Sequence, residues 1–187
     1  MPTPHIVVMG VSGAGKSTVA RVIAERLGAP ILDADDLHPP ANRRKLSAGV
    51  PLTDDDRRPW LAAVRDQMRE RDSSEPRAPG LVVACSALRR DYRDVLRDVA
   101  RPVFFVELGA DREIIAARLA ARRGHFASQQ ILASQIHTLE PLDHGENGIV
   151  CPISLSAAAI ADEVVSAVVD CATPPEQLDS GRDPEPR

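Results

Sequence analysis

The chain reads as an α/β protein built on a mostly parallel sheet with helices on both faces. Three observations predict this. Short apolar runs without polar alternation (5–9, 81–85 and 103–108) read as strands buried on both sides. Segments of helical spacing separate them, so strand and helix alternate along the chain. A glycine-rich turn joins the first strand to the first helix, at the strand end where ligands sit in such sheets.

Each element follows from its own residues. His5-Ile6-Val7-Val8-Met9 is the first strand, and the helix over 17–28 carries Val19, Val22, Ile23 and Leu27 on one stripe before stopping at Gly28. Residues 30–39 read as a second short strand ending in acids. A short helix over 40–49 has Pro40 at its start and Gly49 at its end. Thr53 is placed as an N-cap, with Asp54, Asp55 and Asp56 in the first turn of a helix running to about Asp72. Residues 72–80 form a loop, 81–85 a strand and 87–100 a helix. A strand over 103–108, a helix over 111–123, a polar segment around Gly124 and a helix from Ser128 to Leu139 follow. A weak last strand (148–154) and a closing helix (157–170) complete a single domain of residues 1–171. The proline-rich, charged stretch 172–187 is expected to be a disordered tail.

Composition narrows the class. The 187 residues suffice for one core without disulfides or structural metal, and 43% hydrophobic with 27% charged residues is ordinary for a globular protein. A net charge of −4 gives no footprint for nucleic acid. Cys85, Cys151 and Cys171 are scattered without zinc spacing, which suits a reducing compartment. No apolar run approaches the roughly 18–20 residues needed to span a bilayer. With no leader pattern at the start, the expectation is a cytoplasmic protein without membrane contact. Lys16 and Lys45 are the only lysines among many arginines.

Gly10-Val11-Ser12-Gly13-Ala14-Gly15-Lys16-Ser17, followed by Thr18, completes the GxxxxGK[ST] phosphate loop in a strand–loop–helix context. Its glycines let backbone N–H groups face phosphates at the positive end of a helix. Lys16 then serves the β- and γ-phosphates of ATP, and the Ser17 hydroxyl a Mg²⁺ ion. No asparagine-lysine-x-aspartate box for guanine is present. The third strand ends in Cys85-Ser86 rather than the adjacent acids of a motor or AAA-type ATPase. Asp33 and Asp35 instead close the second strand. Asp33 is assigned to the metal and Asp35 to an acceptor hydroxyl as base or orienter. Alone, such acids are commonly just solvated; beside a complete phosphate loop they read as functional.

These residues resemble the gluconokinase family, a branch of the small-molecule P-loop kinases. The resemblance covers roughly residues 5–170. Beyond the phosphate loop it rests on Asp33-Ala34-Asp35 with His38-Pro39, then Asn42, Lys45, Pro51-Leu52, Asp56-Arg57 and Pro59-Trp60. It continues with Cys85-Ser86-Ala87-Leu88, Tyr92-Arg93-Asp94, Gly124-His125-Phe126, Ser134-Gln135 and Leu139-Glu140-Pro141. The resemblance implies ATP- and Mg²⁺-dependent phosphorylation of D-gluconate on its 6-hydroxyl, a five-stranded parallel sheet of order 2-3-1-4-5, and a homodimer. It further implies a lid near 122–130 that brings Arg122 or Arg123 to the γ-phosphate, and Arg118 with Pro152 about the adenine. Ala127 and Ile136 depart from the family near that lid.

Gluconate needs a cation for its carboxylate and hydrogen-bonding groups for its hydroxyls. Lys45, Arg57 and Arg93 are the cation candidates. Arg57 equally fits pairing with the acids of its own helix, and Arg93 a cap on Asp94. His38, Asn42, Ser86, His125 and Gln135 are the hydroxyl partners, while Trp60 and Tyr92 read as packing residues. A sibling kinase for another small acid or polyol, or a nucleotide-binding module without chemistry, are the alternatives.

Overall fold

The computed structural model describes residues 3–109 and 125–172. The expected helix 111–123, the arginines Arg118, Arg122 and Arg123, and the tail from 173 onward lie outside the described residues.

Five parallel strands, β1 (His5–Met9), β2 (Ile31–Asp33), β3 (Val82–Ala84), β4 (Val103–Gly109) and β5 (Gly148–Pro152), lie in the order β2-β3-β1-β4-β5. This is the order the resemblance implied. Central β1 pairs Ile6, Val7 and Val8 with Val82, Val83 and Ala84 on one side, and His5 to Met9 with Val103 to Glu107 on the other. Because side chains alternate along a strand, β1 feeds two cores. Ile6 and Val8 pack with Val19 and Ile23 of α1 (Lys16–Leu27) and with Ile160 and Val164 of α6 (Ala157–Ala172). Val7 and Met9 pack with Trp60, Leu61 and Val64 of α3 (Asp54–Ser74) and with Tyr92 and Leu96 of α4 (Arg90–Arg97). The remaining helices are α2 (Pro40–Ser47) and α5 (His125–Thr138).

Local chemistry sets the helix ends. Gly28 closes α1 in the left-handed conformation, its N–H serving the carbonyls of Ala24 and Glu25. Thr53 and Asp56 form a reciprocal capping box at the start of α3. Two expected elements are shorter than the sequence suggested. β2 stops at Asp33 because Ala34–Leu37 winds into a 3₁₀ turn, capped by the Asp33 carboxylate accepting from the Asp35 N–H at 3.1 Å. Helix α4 begins at Arg90, not 87, because Ala87 takes a left-handed φ of 40° and turns the backbone at the end of β3. In the other direction, α5 is helical from His125, three residues before its expected start.

At the opposite end of the sheet His5 is fully buried. Its Nδ1 accepts the Leu81 N–H at 2.9 Å, so the proton sits on Nε2 and is donated to Asp72 Oδ1 at 3.0 Å. Asp72 also accepts from Arg101 Nε at 2.9 Å. Burial holds the imidazole pKa below its usual value, although Asp72 opposes this. Depression of a histidine pKa means that the folded state prefers the neutral ring. The stability it contributes is present above about pH 6.5 and is lost as pH falls through the lower, folded value. Melting temperature should therefore begin to decline as pH falls below about 6.5. His5→Ala should cost about 1–3 kcal/mol through the unpartnered groups it leaves, and should flatten that decline. Thermal unfolding of both proteins across this range checks it; equal slopes would contradict the role of His5.

Candidate active site

The loop between β1 and α1 wraps around the helix N-terminus. Gly10, Gly13 and Gly15 have φ of 138°, 85° and 104°, values that bar side chains. A Cβ on Gly10 would also lie 3.2 Å from the Leu108 carbonyl. The Gly10 N–H reaches the Ser86 carbonyl at 3.3 Å, which ties the loop to the end of β3. Helix α1 has no acid in its first turn and no side-chain cap, so its N–H groups remain open to an anion.

Lys16 folds back so that Nζ donates to the Val11 carbonyl at 3.1 Å. Burial lowers its pKa, opposed by the nearby charges of Asp35 and Asp33. The Ser17 hydroxyl donates to Asp33 Oδ2 at 2.8 Å. These are hard oxygen donors at the mouth of a phosphate loop. They fit a Mg²⁺ ion that keeps most of its shell for water and phosphate oxygens. Ser12, Gly13, Gly15, Lys16, Ser17, Thr18, Asp33 and Asp35 together enclose a polar cradle of about 160 Å³.

A cleft of about 220 Å³ opens beside the cradle and shares Ser12, Lys16 and Asp35 with it. His38, Arg57, Ser86 and Gln135 also line it, facing an apolar wall that includes Leu46, Leu52, Leu88 and Ile131. His38 is stacked on Trp60, ring centroids 4.3 Å apart, and its Nε2 stands 3.7 Å from Asp35 Oδ1. Burial depresses the His38 pKa, so the ring is favoured neutral. Trp60 Nε1–H donates to the Ala34 carbonyl at 2.6 Å, which pins the 3₁₀ turn bearing Asp35 onto α3. Gln135 Oε1 accepts the Ser12 N–H at 2.6 Å and so joins α5 to the phosphate loop.

A larger cavity of about 540 Å³ lies on the other side of the loop. Gly13, Thr18 and Val19 meet Ile153, Leu155 and Ile160 there. Pro152 is exposed at the end of β5, one residue before this lining. The resemblance named the segment around Pro152 for the adenine; Leu155 and Ile160, which also line this cavity, were not named.

Five of the residues expected at the acceptor (Asp35, His38, Arg57, Ser86 and Gln135) thus meet in one cleft. Three others do not line it, and each has another partner. Lys45 Nζ bonds both Asp56 carboxylate oxygens at 2.7 Å, and Asn42 Nδ2 donates to the Asp56 carbonyl at 2.8 Å. The Lys45 contact is the chief cause holding the Asp56 carboxyl at about 2. Together they fasten α2 to the first turn of α3. Arg93 is buried against Glu146, with Nε at 2.8 Å and Nη2 at 2.6 Å from its carboxylate, and donates to the Glu140 carbonyl at 3.0 Å. Removing one partner of a buried pair such as this is costly, and its role here is to hold the loop before β5. His125 opens α5, and its side chain lies outside the described part. Ile136 packs partly buried against the core between the sheet, α1 and α6.

A phosphate loop at the carboxyl end of a 2-3-1-4-5 parallel sheet, opening on an acid-bearing acceptor cleft, defines a P-loop kinase of small molecules. A family model described as an AAA domain matches residues 6–142. The end of β3, Ala84 followed by Cys85-Ser86, still lacks the adjacent acids expected of a motor or AAA-type ATPase. Gluconokinase from Gluconobacter oxydans (strain 621H) is 49% identical over 135 residues, covering 72% of this chain and 74% of its own. The crystal structure of a gluconokinase from Sinorhizobium meliloti 1021 superposes with a TM-score of 0.80 at 42% identity, over 92% of this chain and 95% of that one. An unliganded sugar kinase from Janibacter sp. HTCC2649 gives a TM-score of 0.83 at 39% identity, over 90% and 95%. The chain belongs to the gluconokinase family.

Proposed function

We propose that the chain transfers the γ-phosphoryl group of ATP to the 6-hydroxyl of D-gluconate, giving 6-phospho-D-gluconate and ADP. The observation that carries this is the shared lining: Lys16 and Asp35 face both the phosphate cradle and the acceptor cleft. A phosphorus held in the first and an oxygen held in the second are therefore brought into line across those two side chains. The bond from the γ-phosphorus to the bridging oxygen breaks as the bond to O6 forms, through a loose transition state governed by positioning and charge. Lys16 balances charge on the transferring and leaving oxygens. Asp35 orients the hydroxyl and accepts its proton late in the transfer.

Ser17 and Asp33 would hold the Mg²⁺, which supplies charge neutralisation at the phosphates. Arg57 takes the gluconate carboxylate, because it lines the cleft with only a 3.5 Å contact to Asp54, whereas Lys45 and Arg93 lie outside it in close pairs with Asp56 and Glu146. His38, Ser86 and Gln135 serve the hydroxyls between, with His125 closing from α5. Arg122 comes to the γ-phosphate from a lid, and Arg118 stacks on adenine near Pro152. On this reading the enzyme works as a cytoplasmic homodimer. Among the described residues no helix is long and apolar enough to cross a membrane. The test is ADP release from ATP and Mg²⁺ over a panel of gluconate, shikimate, AMP and adenylyl sulfate. Release is expected with gluconate; release with shikimate or AMP instead would overturn the assignment.

A further inference from the structure

Arg57 enters the acceptor cleft from the first turns of α3, where a long cation would swing freely unless held. Tyr92 of α4 holds it. The Tyr92 oxygen accepts an N–H from Arg57 Nη1 at 3.2 Å and donates its own proton to Asp54 Oδ1. These directions are forced, since a guanidinium can only donate and a carboxylate only accept. The guanidiniums of Arg57 and Arg89 both lie against the Tyr92 ring, 5.5 and 5.4 Å from its centroid. Arg89 Nη1 takes the second oxygen of Asp54 at 3.2 Å. Arg57 Nη1 stands at 3.5 Å from Asp54 Oδ1, a longer contact than the one Tyr92 makes with that oxygen. Arg57 is thus fixed through a neutral hydroxyl and an aromatic face, while the neighbouring carboxylate is already engaged. Its charge stays available to the cleft. Burial and Asp54 push the Tyr92 phenol up, so it remains a donor at working pH.

We propose that Tyr92, oriented by Asp54 and Arg89, is a positioning residue that fixes Arg57 for the anionic end of the acceptor. This rests on the reading that Arg57 receives the gluconate carboxylate. The test is steady-state kinetics on the wild type, Arg57→Ala, Tyr92→Phe and the double variant. Arg57→Ala should raise the gluconate KM by about tenfold or more, the scale of one charge-assisted contact. Tyr92→Phe should raise it several-fold while the ATP KM moves less than twofold. The double variant should be no worse than Arg57→Ala alone, because Tyr92 acts through Arg57. Losses that multiply in the double variant, or an unchanged gluconate KM in Tyr92→Phe, overturn the proposal. An unchanged KM in Arg57→Ala would instead overturn the underlying reading of the carboxylate site. Asp54→Asn gives a second test if Tyr92→Phe does not fold, with the same several-fold rise expected and no rise counting against it.

Discussion

Lys16→Met should lower turnover on gluconate by about 10²–10³, the scale of one lost transition-state contact. The substitution keeps length and removes charge. In the structure the ammonium is anchored by the Val11 carbonyl, a neutral partner that orients it without cancelling it. Its surroundings are buried enough to lower its pKa, and a charge in such surroundings acts more strongly on a nearby phosphate than one in water. Methionine would leave the loop's backbone N–H groups intact, so nucleotide binding should weaken less than turnover falls. Turnover within a few-fold of wild type, measured at saturating ATP and gluconate, would contradict the role given to Lys16.

The two acids after β2 should fail in different ways. Asp35→Asn is expected to lower turnover by about 10²-fold or more, in the range for a lost proton acceptor, while ATP still binds. Asp33→Asn should act on the metal. The Asp33 carboxylate has one oxygen on the Ser17 hydroxyl and the other on the Asp35 N–H. An amide can keep its oxygen on that N–H only by turning its NH₂ toward Ser17, which removes negative charge where Mg²⁺ is expected. The Mg²⁺ concentration for half-maximal rate should then rise by about tenfold. Titrating Mg²⁺ and gluconate for both variants separates the roles. If Asp35→Asn changes only the Mg²⁺ requirement and Asp33→Asn only the gluconate response, the assignments are reversed.

Much of the fold was legible because it depends on local signals. The buried runs at 5–9 and 103–108, the Gly28 stop and the Thr53 cap each act within a few residues, and each appears where the sequence puts it. The start of α4 was not legible. Ala87-Leu88-Arg89 has good helix formers, yet the chain turns there because the end of β3 must present Ser86 and Leu88 to the cleft. Tertiary demand overrides propensity at that point.

The site shows the same division. The phosphate loop is contiguous and could be read whole, whereas the acceptor cleft is assembled from 3₁₀ turn, α3, the turn after β3 and α5. Residue type alone made Lys45, Arg57 and Arg93 equal candidates for a carboxylate. Only the fold reveals that Glu146, 53 residues away in sequence, takes Arg93. Likewise Tyr92 read as packing. Its ring is indeed buried, but its hydroxyl has partners 35 and 38 residues away that no local pattern could supply.

Trp60 is the only tryptophan in the chain, and it lies directly beneath His38 at the floor of the acceptor cleft. The molecule thereby carries a single indole fluorophore in the cleft proposed for the acceptor. Its indole is 2% exposed and tethered to the Ala34 carbonyl, so its emission comes from one environment rather than an average over several. A ring stacked 4.3 Å away changes that environment when it gains a proton or a ligand. Acceptor binding and the charge state of His38 are therefore both open to direct optical measurement in the unlabelled protein.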